Sequence, residues 1–186
     1  MPTAKNNTAP EPPAAAVAAD AHWAATREKL RNRSRPVAPL TICDDLEAKK
    51  ALENARFLVR SVSAQLESDP DSTDLSKELA AANKTLDAAQ EAFDAVAIRL
   101  QFQALRRPDF EDMKRRHPPT EEQAEDNYVV NLDTIAPELI AASSLNGITE
   151  EDAKYYLEEW GEGEAASLFN TAWNVQSSTR MDMGKG

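Results

Sequence analysis

The chain has 186 residues, five glycines, 41% apolar residues and a formal charge of −11, which suits one or two small domains with real cores and excludes a large multidomain enzyme. Abundant Ala, Leu, Glu and Lys, side chains that lose little freedom in a helix, predict an all-α protein. Residues 1–40 carry six Lys/Arg against three acids, a balance of +3 that leaves −14 for residues 41–186; such a body repels a phosphate backbone, so no nucleic-acid partner is expected outside the N-terminal arm.

In chain order, residues 1–40 combine Pro, Ala and Asn with the basic tract "REKLRNRSRP" and predict a flexible, disordered arm with a transient Ala-rich helix near residues 13–32. The run "PPAAAVAADAHWAA" is broken by Asp20 and too weakly apolar for a signal sequence, and no uninterrupted membrane-length segment follows, so a soluble, unexported protein is expected. The lone cysteine, Cys43 in "TICDD", excludes an intramolecular disulfide and a Cys-cluster metal site. Its acidic neighbours blunt it as a nucleophile.

From Asp44 the pattern becomes regular. Ala48, Leu52, Ala55, Val59, Val62 and Leu66 are spaced 4, 3, 4, 3, 4, and beyond the turn "SDPDST" the rhythm returns at Leu75, Leu79, Ala82, Leu86, Ala89 and Phe93, continuing to Val96 and Leu100. These are two coiled-coil seams. Folded back on each other, the seams pair large with small residues, Ala55 with Leu86 and Ala48 with Phe93 among them, which fills space without voids. An antiparallel hairpin is predicted within a domain at residues 41–106, its helices at about 44–67 and 73–105. At ~1.5 Å per residue the second helix would be roughly 50 Å long and overhang the first, leaving Ile98, Leu100, Phe102 and Leu105 in need of cover.

A small aromatic-rich helical domain, residues 107–178, is expected to supply that cover. Pro108 and Asp109 open a short helix with a basic end. Each residue before a proline is biased out of helical geometry, so "RRHPPTEEQ" is a forced corner: His117 and Pro118 leave one helix, and Thr120 with Gln123 caps the next. A helix is predicted from about Asp133 to Ser144, with Pro137 in its first turn and Asn146-Gly147 at its end. Thr149 with Asp152 starts another that Gly161 stops, and the last runs from about Glu164 to Val175. Residues 179–186 read as a flexible tail. Seven of the eleven aromatic residues fall between Phe110 and Trp173, placing the denser core here.

Enzymatic constellations are missing. "GEGE" follows no strand, no serine stands in a nucleophile elbow, and the carboxylate pairs sit at helix starts or on exposed faces. His117 has no second His, Cys or HxxE spacing beside it and reads as a surface residue at a helix end. No catalytic residue, metal site or cofactor is therefore expected. The aromatic set Tyr155, Tyr156, Trp160, Phe169 and Trp173 is a core or a helix-binding groove.

Together, "RPVAPLTICDDLEAKKALENA", "RLQFQALRRPDFEDMKRRHPPTEEQ", "NLDTIAPELIAASSLNGITEEDAKYYLEEW" and "EAASLFNTAWNVQ" resemble the tail assembly chaperones of long-tailed, siphovirus-type phages of actinobacteria, over about residues 36–178. Where the family often ends the segment before the last helices in proline, this chain has Asn146-Gly147. The resemblance implies a non-enzymatic protein of the host cytoplasm. It would bind the long, helix-rich tape measure protein, keep it soluble and extended while tail tube protein polymerises, and be absent from the finished virion. Partner contacts are then expected at Tyr156, Trp160, Phe169 and Trp173, with Phe102 on the hairpin overhang, while homo-oligomerisation is left open. The resemblance also implies a longer form made by translational frameshift, often at Gly-Lys codons, and the chain ends "MDMGKG" with Gly184-Lys185; the plain reading of that end is a polar tail. The rival reading of the whole is a structural tail or connector subunit retained in the virion.

Overall fold

The computed structural model describes residues 14–179. The described residues divide into two compact units, 14–35 and 36–179. The first unit holds helix α1 (Ala14–Arg31), where the Ala-rich tract predicts one, and its last turn carries Lys29 and Arg31, which suit the negative end of the helix dipole. Residues 1–13 and the Gly184-Lys185 pair lie outside the described residues.

The second unit runs β1 (Val37–Ile42), α2 (Leu46–Ser68), α3 (Thr73–Val96), β2 (Ile98–Gln103), α4 (Arg107–Arg116), α5 (Glu121–Glu125), α6 (Leu132–Ser143), α7 (Glu150–Glu159) and α8 (Glu162–Ser177). It is an all-α architecture with one small two-stranded antiparallel sheet. Helices α2 and α3 form the hairpin. Asp45 caps α2 by accepting from the Glu47 and Ala48 amides, and Ser72 caps α3 by accepting from Leu75. All twelve seam residues from Ala48 to Phe93 are buried or half-buried, with Leu52, Ala55, Val62 and Ala82 fully so, whereas Phe57 on the other side of α2 is 67% exposed. The Arg56 guanidinium donates to Gln90 Oε1 at 2.9 Å and ties the two helices together.

The expected second helix to residue 105 is corrected: α3 stops at Val96, and residues 98–103 form a strand paired with residues 37–42, of which residues 37–40 fall within the expected arm. The reason is local. Leu100, Phe102 and Ala104 alternate inward with outward Arg99, Gln101 and Gln103, a period of two that a helix cannot bury on one face. Ala38, Leu40 and Ile42 alternate in the same way, with Leu40 opposite Leu100 and Ala38 opposite Phe102. Pro39 is tolerated because its partner, Gln101, turns its own backbone away from β1: the Gln101 amide donates to Asn146 Oδ1 at 2.6 Å and its carbonyl accepts from Leu145 at 2.8 Å. The ribbon joins the base of the hairpin to the helical core, both strands packing on α8 and β2 also on α6.

That core centres on Phe102, Ile135, Leu139, Ile140, Leu168 and Ala172, all wholly buried. Both predicted capping boxes form, Thr120 with Gln123 and Thr149 with Asp152. Pro137, placed in the first turn by the sequence reading, is the sixth residue of α6 and lies inside the helix. Its missing N–H leaves the carbonyl of exposed Asp133 without the usual helical donor, a loss that water can make good. Helix α6 ends before Asn146-Gly147; Asn146 instead seals the outer edge of β2, its Nδ2 donating to the Arg99 carbonyl, and Gly147 turns the chain with φ +79°.

Candidate functional site

Trp160 caps the end of α7, and only Gly161 separates it from the start of α8, so the indole is held between the ends of two helices. It stacks on Tyr156, one turn earlier, with ring centroids 4.7 Å apart and planes at 23°. Phe169 and Trp173, four residues apart on α8, lie 5.7 Å from each other, and Trp173 meets Phe110 of α4 edge-on at 5.6 Å. Tyr156, Trp160, Phe169 and Trp173 are each half-buried, the state expected of aromatic rings that are both core and surface. Phe102 is not among them. It is 0% exposed in β2 beneath the helices, so its expected role as an exposed contact is corrected to that of a core residue.

Trp160 divides two grooves. On one side a hollow of about 370 Å³ is walled by Ile42, Ile98 and Leu100 of the ribbon with Ile148 and Tyr156 of the helical core. A smaller one of about 200 Å³ continues from it along β1 past Lys49 and Ser167. On the other side a groove of about 950 Å³ runs between α6, α7 and α8, with Ala136, Leu157, Ala165 and Phe169 among its walls. The sequence reading missed Ile42, Ile98 and Ile148 as wall residues. The alternating pattern of the two strands was the signal that would have found the first two.

The surroundings are acidic. Asp44 and Glu164 flank the first groove, and Asp133, Glu158 and Glu162 the second. The Asp152 carboxyl is held below its ordinary value by the Thr149 hydroxyl and amide, which keeps the start of α7 negative. No helix among the described residues is long and apolar enough to cross a membrane.

His117 proves to be more than a surface residue. Its Nε2 lies 2.7 Å from Glu138 Oε2 and its Nδ1 2.9 Å from Thr134 Oγ1, while Arg116 also bonds Glu138. Burial pushes the Glu138 carboxyl up, but the hydrogen bonds from His117 and Arg116 outweigh it, and the group sits below its ordinary value. The arrangement latches the end of α4 to α6. No group of three His, Cys, Asp or Glu among the described residues is placed to hold a metal ion.

Comparison with family models, curated proteins and solved structures returned no match for this chain.

Proposed function

We propose that this chain is a phage tail assembly chaperone: it binds the apolar stripes of the tape measure protein, keeps that rod soluble and extended in the host cytoplasm while the tail tube grows, and leaves before the virion is complete. The identity of the partner rests on the resemblance of residues 36–178 to such chaperones. The observation that carries a binding role is the pair of open grooves on either side of Trp160, walled by apolar and aromatic side chains and rimmed by carboxylates. A rod with exposed apolar stripes self-associates, and a small acidic cover both hides the stripes and lends them repulsive charge. Shallow grooves also suit a cover that must later be displaced, because many weak contacts release more readily than one deep anchor. In this reading the protein performs no catalysis and holds no cofactor.

Co-expression tests it. The tape measure protein is expected in the soluble fraction with the wild-type chain and in the pellet without it. Equal insolubility in both cases contradicts the proposal.

A further inference from the structure

We propose that the groove between α6, α7 and α8 takes an amphipathic helix whose apolar stripe is flanked by Lys or Arg. This rests on the chaperone reading for the source of the helix, a segment of the partner rod. Each wall presents one helical face to the groove: Leu132 and Ala136 of α6, Leu157 of α7, Ala165 and Phe169 of α8. Ala136, Ala165 and Ala166 line it with methyl groups only, which lets a helix backbone approach closely, and Trp160 and Phe169 offer broad apolar contact.

Charge selects the occupant. Asp133, Glu158 and Glu162 stand along the groove, and none of them has an ion-pair partner among the described residues. The cation beside them, Lys154, is engaged by Glu150 at 3.0 Å. Asp133 and Glu162 lie in the first turns of their helices, where a carboxylate is favourable in its own right. Glu158 does not. It lies near the end of α7, whose last turn has no basic residue, and Glu159 follows it, so the negative end of the helix dipole carries two further negative charges. An ammonium or guanidinium from a bound helix relieves that repulsion, whereas an acidic helix adds to it.

Two synthetic amphipathic helices with the same leucine stripe, one flanked by lysine and the other by glutamate, distinguish the cases when titrated with the full chain by fluorescence anisotropy. The lysine helix is expected to bind at least about tenfold tighter at low salt, with the gap closing as salt screens the rim. Glu158→Gln should narrow the gap, and Ala166→Gln, a neutral filler at an exposed position, should weaken both helices without changing the thermal melt. Equal affinity for the two helices, or indifference to Ala166→Gln, overturns the inference. Pull-down of the tape measure protein separates this failure from that of the wider proposal. Equal retention by wild type and Ala166→Gln sinks the groove and leaves the chaperone standing; retention by neither sinks the chaperone, while a lysine preference would still support the groove.

Discussion

Replacing Phe102 by Ala is expected to cost this protein a large part of its stability. The ring is 0% exposed, sits in β2 opposite Ala38, and belongs to the cluster that includes Ile135, Leu139 and Leu168. Truncating a buried phenylalanine removes its transfer free energy and leaves a cavity, together about 3–5 kcal/mol. Against a total of roughly 5–15 kcal/mol for a domain, that is about a fifth or more. At about 3 °C per kcal/mol for a chain of this size, the melting temperature should fall by roughly 10–15 °C. Thermal unfolding followed by far-UV circular dichroism measures it, with Phe57→Ala as the control: that ring is 67% exposed, and its loss should cost under about 0.5 kcal/mol. If the two variants melt alike, Phe102 does not lie under the helices, and the strand reading of residues 98–103 is wrong.

Glu138→Gln should flatten the acid limb of the stability curve. The folded carboxyl sits below its ordinary 4.5, so its contribution is present above that value and is lost as pH falls through the lower folded one; a wild type and variant that lose stability in parallel between neutral and acid pH would refute the latch. Asn146→Ala removes the acceptor of the Gln101 amide and the donor to the Arg99 carbonyl at a half-open sheet edge, a loss of about 1 kcal/mol, with faster hydrogen exchange at Gln101 as its local signature. Unchanged exchange there would contradict the sealed edge. Trp160→Ala should leave the chain folded yet weaken binding of the tape measure protein about tenfold or more, as for an aromatic anchor, read by surface plasmon resonance after circular dichroism confirms the fold; full affinity in a folded variant would remove Trp160 from the site.

The hairpin was legible because its information is local and redundant. Twelve residues repeat one rhythm, and the turn "SDPDST" divides it into two runs. The corner at His117-Pro118-Pro119 and the two capping boxes were legible for the same reason: each is a short-range steric or hydrogen-bonding constraint. The ribbon was not recovered, although Ile98, Leu100 and Phe102 alternate, because the seam running into it favoured continuing the helix to residue 105. Its partner strand lies more than fifty residues earlier, in a stretch rich in proline, and strand pairing over that distance leaves no periodic trace connecting the two. The site followed the fold. Their spacing on α7 and α8 puts Tyr156, Trp160 and Phe169 on faces that line the grooves, whereas the overhang expected to carry Phe102 does not exist. Ile42 and Ile98 become walls of a groove only once the ribbon brings them to Tyr156. The role of His117 was hidden likewise, since Glu138 and Thr134 reach it across a corner whose angle no local pattern gives.

The central claim is that this chain serves assembly and then departs. Affinity purification from cells in mid-assembly, with mass spectrometry of both the bound proteins and the purified finished particles, addresses it directly. The tape measure protein in the bound fraction, with this chain absent from particles, is the predicted result; repeated identical copies of the chain in finished particles would contradict it and make the protein a structural subunit of the tail.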